Sequence, residues 1–332
     1  MSEALAGAAD AHVHRQQLND LLYEHEGDAR LRPWCRRPTE WLADLAAVEI
    51  ADRLTRQERV VVVDYGAGTG AATIALAAAL RRRGLWRDTL ARRVEIVLAD
   101  IPGPWFAADD VRSSLGGVAL AAVDLRARTG RVLPLDEALL DPVDLVVANM
   151  VFHLVPPKAL HAAFGGVRRA MVHGALLVWT APDLEHRSTR GLLFHDANRQ
   201  VRAEFERLVA AGRVEIDTDV PVGAPVTITA ASRALATKQI PDPPLSAAAV
   251  FAAFRSHFDG GTFRLATPIT PSAVRRAALL SPNLRNLNEI KGDDHRRAVC
   301  EAILDRWVLP EMFADGATQR PLHWTVGAGR PR

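Results

Sequence analysis

Apolar residues along this chain recur at two alternating periods, and the alternation predicts its elements. Four consecutive valines at 60–63 form the clearest strand, covered on both faces as a parallel sheet requires. Ile74, Leu76, Ala77 and Leu80 then follow a helical period, ended by Arg81, Arg82, Arg83 and Gly84. Further apolar runs predict strands over 94–100, 118–125, from 144 onward and over 174–181, with helices over 159–172 and 193–211. Upstream, Leu18, Leu21 and Leu22 predict a helix over 11–23. Trp41, Leu45 and Val48 predict a second, starting after Pro38 with Thr39 as N-cap. Downstream, short strands are expected at 214–216 and 226–229, helices over 246–258, 271–280 and 293–313, and a last strand at 322–327. A proline-rich turn at 240–244 joins two of these. Strand and helix alternate up to residue 212 as a doubly wound α/β sheet requires.

The turn after the valine strand carries the first candidate chemistry. In Asp64-Tyr65-Gly66-Ala67-Gly68-Thr69-Gly70, glycines at alternate positions let the backbone turn sharply and approach a ligand. Two ligand classes suit such a corner. Gly66, Gly68 and Ala71 can be matched to a dinucleotide fingerprint, whose pyrophosphate favours a helix N-terminus free of negative charge. Asp64, two residues before the first glycine, instead repels a phosphate and attracts an ammonium or sulfonium. At the carboxyl end of the second strand, Asp100 offers a carboxylate that can accept from both hydroxyls of a ribose.

The D-x-G-x-G-x-G pattern resembles motif I of the class I S-adenosylmethionine (SAM) dependent methyltransferases. The resemblance covers 56–212 and the last strand. It implies a Rossmann-like doubly wound sheet with SAM as cofactor, the aminoacyl end cradled by Gly66, Gly68 and Gly70 and held by Asp64. It places Asp100 on the ribose and Ile101 against the adenine, with Asp124 on the adenine amine and Leu125 flanking the ring. Asn149 is then the short polar residue that an apolar fourth strand delivers to the active-site mouth, next to cofactor and substrate. N-terminal helices often fold over the pocket in this family, and Tyr23 and Trp34 are the aromatic candidates for such a lid. The implied organisation is an N-terminal helical lid (1–55), a SAM-binding core (56–212), a mainly helical, substrate-facing insertion or cap (213–315) and a returning last strand (316–332).

The fourth strand also separates substrate classes. Enzymes of the family that methylate exocyclic amines of bases carry D/N-P-P-Y/F here, where this chain has Asn149-Met150-Val151-Phe152. The glutamate pair of protein arginine methyltransferases is absent too. A small-molecule acceptor is left, with specialised metabolism suggested by the unusual cap. His153, four residues past Asn149, is the candidate general base, because an unperturbed imidazole titrates near neutrality. His195, beside Asp196, is a second candidate, facing substrate. Asp293-Asp294-His295 does not make a metal site, since adjacent helical residues point in different directions.

Composition narrows the field further. The chain has 332 residues with 48% hydrophobic and 24% charged positions, ordinary for a globular protein. A formal charge of +2 is too small for a nucleic-acid footprint. Lysine occurs only at Lys158, Lys238 and Lys291, so arginine clusters reflect a bias in composition more than a phosphate site. Cys35 and Cys300 cannot make a disulfide framework, and neither has zinc-ligand spacing around it. No basic-then-apolar leader and no membrane-length run is visible, so a soluble cytoplasmic protein is expected, without nucleic-acid or membrane partner; a homodimer is compatible with the sequence. The reading is a SAM-dependent methyltransferase acting on an O, N or C acceptor by in-line displacement. The alternatives are a SAM-binding enzyme that promotes cyclisation or elimination, a nicotinamide oxidoreductase, and a degenerate interaction subunit.

Overall fold

A computed structural model describes residues 13, 15–24, 30–86, 92–101, 111–112, 115, 118–127, 129, 131–183, 194–224 and 245–332, side chains of 194–196, 281–282 and 315 excepted. The expected strand at 226–229 and the turn at 240–244 lie outside these residues.

Seven strands form one sheet: β1 (Val60–Tyr65), β2 (Val94–Asp100), β3 (Ala119–Asp124), β4 (Val143–Asn149), β5 (Met171–Pro182), β6 (Phe258–Ile269) and β7 (Arg320–Pro331). Their order is β3-β2-β1-β4-β5-β7-β6. β1 to β5 pair in parallel, and β7 runs antiparallel to both β5 and β6. The single reversed strand, with helices packed on both faces, makes this a doubly wound α/β sheet. The order reverses between β1 and β4, and it is outside the carboxyl ends of strands at such a switch point that open α/β sheets bind ligands.

The valines of β1 sort by parity, as a strand's alternation demands. Val60 and Val62 pack with Leu42, Ala46 and Ile50 of α1 (Pro33–Leu54) and Leu76 and Leu80 of α2 (Ala71–Arg82). Val63 and Tyr65 join the opposite layer, with Phe152, Trp179, Phe164 of α3 (Leu160–Ala170) and Phe254 of α5 (Ala247–Arg255). Between α3 and α5 lies α4 (Phe194–Ala210). α4 meets α6 (Pro271–Ala278) and α7 (Asp293–Ile303) in a third apolar cluster that includes Phe205, Val274, Ile303 and Trp324.

Three expectations are corrected. α1 starts at Pro33, so Pro38 is inside it and Thr39 is a buried interior residue instead of an N-cap. Proline lacks the N–H that would bond the Trp34 carbonyl four residues back. That carbonyl accepts from Thr267 Oγ1 at 2.6 Å, which removes the cost of an orphaned acceptor. Since α1 is buried along the sheet, the helical stretch 15–22 and Tyr23 are what is left of the expected N-terminal lid among the described residues. Finally, 214–216 is irregular, whereas β6, a stretch given no element between the helices expected at 246–258 and 271–280, is a sheet strand within the supposed cap.

Candidate active site

The glycine turn closes over the carboxyl end of β1. Gly66, Gly68 and Gly70 have φ of 71°, 55° and 78°, the left-handed region that only glycine enters freely. A Cβ on Gly66 would stand 2.5 Å from Val151 Cγ2, so the segment after β4 rests directly on the turn. Beneath it, Asp64 is 1% exposed and its Oδ2 accepts from Thr73 Oγ1 of α2 at 2.7 Å.

Asp100 meets the same turn from the next strand. Its Oδ2 accepts from the Gly68 N–H and its Oδ1 from the Ile101 N–H, both at 2.7 Å. The Asp100 carbonyl accepts from the Leu125 N–H at 2.9 Å, which ties β2 to the end of β3. A carboxylate with four lone-pair sites can hold these donors and still accept from hydroxyls. The structure thus brings Asp64, the three glycines, Asp100, Ile101 and Leu125 to one corner. Asp124 pairs in register with Asp100, but its side chain is exposed and Oδ1 caps the Arg126 N–H at 2.6 Å. In this conformation Asp124 closes a turn.

Tyr23 comes to this corner from the N-terminal stretch. It is 7% exposed, and its hydroxyl lies beside that of Thr69, with neither in hydrogen-bonding geometry to any partner among the described residues. Burial, followed by proximity to Cys35, pushes the phenol pKa up, opposed by the neighbouring Thr69 hydroxyl and reinforced by Asp64. Two buried hydroxyls without partners beside a buried carboxylate cost stability unless something polar fills the space. Trp34 is corrected from lid to core. It stacks on Trp324 with ring centroids 6.2 Å apart and donates through Nε1 to the Leu21 carbonyl at 3.2 Å.

At the end of β4, Asn149 Oδ1 accepts from Thr180 Oγ1 at 2.6 Å and from Thr39 Oγ1 at 3.3 Å. The next residue, Met150, has φ 60° and is the only non-glycine at positive φ among the described residues. His153, in the turn that follows, is 4% exposed with Nδ1 unpartnered among the described residues. Burial lowers its pKa to about 3, so the imidazole stays neutral and is a weak base. His195 is in the first turn of α4; its side chain lies outside the described residues.

Sequence reasoning missed Thr69, Thr73, Thr39 and Thr180. Thr39 and Asn149 are 110 positions apart, with no local signal to link them. No cluster of potential metal ligands occurs among the described residues, Asp293 being paired with Arg296 at 2.7 Å.

No family model and no curated protein matches the chain. Solved structures do. Loganic acid methyltransferase with SAH is similar at 12% identity and a TM-score of 0.46, over 89% of this chain and 94% of that one. YcgJ from Bacillus subtilis gives 12% and 0.45 over 86% and 98%. The [4+2]-cyclase SpnF gives 15% and 0.43 over 95% and 92%. Likeness at this level says nothing about the reaction. No helix among the described residues is long and apolar enough to cross a membrane.

Proposed function

We propose that the chain is a SAM-dependent methyltransferase acting on a small molecule. The observation that carries this reading is the corner itself: a buried Asp64 beneath three positive-φ glycines, with Asp100 bonded to the middle one. The residues fit the cofactor. The unpartnered hydroxyls of Tyr23 and Thr69 supply donors for its carboxylate, Asp64 a counter-charge for its ammonium, and Asp100 acceptors for its ribose. Ile101 and Leu125 are the apolar flanks for adenine. When bound, SAM supplies an electrophilic methyl carbon on a sulfonium.

The protein's own tasks are then to align an acceptor with that carbon and to keep water away. Asn149 and the strained Met150 shape the mouth where the acceptor enters. His153, buried and neutral, is not the base in this reading. The described part of 213–315 outside α5 and β6 is the substrate-facing part of this reading, and the protein works in the cytoplasm in specialised metabolism.

Calorimetry with S-adenosylhomocysteine (SAH) tests the reading. Micromolar binding is expected, weakened at least tenfold by Asp100→Ala. Absence of SAH binding, or preferential binding of a nicotinamide dinucleotide, refutes it.

A further inference from the structure

At the end of β4 the Asn149 amide is engaged through its oxygen. The Thr180 hydroxyl accepts from the Met150 N–H at 3.3 Å and gives its one proton to Asn149 Oδ1 at 2.6 Å. Thr39 gives Oδ1 a second proton at 3.3 Å. Both lone pairs of the amide oxygen are therefore committed. Asn149 is half-buried, and its Nδ2 has no partner among the described residues. What this side chain offers a ligand is two N–H donors and no acceptor.

Its place is next to the glycine turn. β4 adjoins β1, pairing Val147 with Asp64, and Val151 lies against Gly66 just past Asn149. The Met150 N–H is held by the Thr180 carbonyl at 3.0 Å while its φ is 60°. Backbone strain is thus kept beside the amide by the same threonine that orients it.

We propose that Asn149 orients the substrate as a hydrogen-bond donor, and that the methyl acceptor it selects is an anionic oxygen, a carboxylate or a phenolate, and not an amine. Thr39 and Thr180 are its positioning residues. The inference rests on the methyltransferase reading above and narrows it. An amine about to be methylated must turn its only lone pair toward the methyl carbon. It then shows the protein N–H groups alone, which need an acceptor, and Asn149 Oδ1 is spent. An oxygen keeps further lone pairs beside the attacking one, and these accept from Nδ2. As the oxygen's lone pair forms the C–O bond, the methyl–sulfur bond breaks and its electrons return to sulfur, leaving an ester or ether and a neutral thioether. No proton has to be removed in that step, which agrees with a buried His153 too weak to take one.

The test uses the full chain saturated with SAH and three matched probes: benzoate, 4-nitrophenolate and aniline, titrated by calorimetry or ligand-observed NMR. Wild type is expected to bind at least one of the two anions at least tenfold more tightly than aniline. Asn149→Asp should abolish that preference, because it replaces the donors with a charge. Thr180→Val should reduce the preference several-fold while Thr180→Ser keeps it, a selectivity change that a merely structural role would not produce. Circular dichroism checks that each variant is folded. Equal or tighter binding of aniline, undiminished anion binding by Asn149→Asp, or no anion binding to the SAH-loaded protein overturns the inference. Failure of SAH itself to bind overturns the cofactor reading instead, and so separates the two.

Discussion

Gly66→Ala is the sharpest probe of the glycine turn, because its cost has two separable parts. The new Cβ requires an L-residue at φ 71°, which costs about 1–2 kcal/mol. It also places a methyl 2.5 Å from Val151 Cγ2, and overpacking of this kind costs about 1–3 kcal/mol. Together the loss should be about 2–5 kcal/mol, read as a lowered midpoint in urea unfolding. The steric part depends on Val151 and the dihedral part does not. Val151→Ala in the same background should therefore recover about 1–2 kcal/mol, seen as a coupling energy in a double-mutant cycle. A single-mutant loss below about 0.5 kcal/mol, or a cycle without coupling, would show that the segment after β4 does not rest on the glycine turn.

Other outcomes follow from the same structure. Tyr23→Phe removes a buried hydroxyl that lacks a partner, so the unliganded protein should hold or gain up to about 1–3 kcal/mol while its affinity for SAH falls; denaturation and calorimetry read the two effects. Arg202 meets the fully buried Glu289 through bonds of 2.6 and 2.9 Å, and Arg202→Met should cost about 3–5 kcal/mol at neutral pH by stranding that carboxylate. Burial alone would raise the Glu289 pKa, but Arg202 and backbone N–H groups hold it below its ordinary value. Its stabilisation is thus present above the unfolded pKa and lost as pH falls through the folded one, so the gap between Arg202→Met and wild type should narrow in acid. His153, whose pKa burial lowers from 6.5 to about 3, contributes stability above pH 6.5 that is lost as pH falls toward 3. His153→Leu should flatten the stability–pH curve in that window.

Legibility from sequence followed burial. β1, β2, β4 and β5 are covered on both faces and read as continuous apolar runs. The Asp64–glycine corner is a local pattern that one strand–turn–helix unit was enough to mark, and Asp100 was legible as the last residue of the next apolar strand. β6 was missed because it is an edge strand with most residues exposed or half-exposed and a Gly260-Gly261 pair, and it acquires its shape by pairing with β7 along its whole length. Pro38 marked a false helix start because the hydroxyl that replaces its missing bond belongs to Thr267, on β6. The lid reading of Trp34 failed for a similar reason: its stacking partner, Trp324, is on β7. The amide clamp on Asn149 joins three elements, and no window of sequence contains it. His153 has the right residue type near the right strand, and only the structure shows how deeply it is buried.

The central claim is that Asp64, the glycine turn and Asp100 together hold one SAM-like ligand. A crystal structure of the protein grown with SAH tests it most directly. The account predicts the ribose hydroxyls on Asp100 and the amino-acid end against the turn above Asp64, within reach of Tyr23 and Thr69. Density for SAH elsewhere, or a corner that excludes it, would contradict the account.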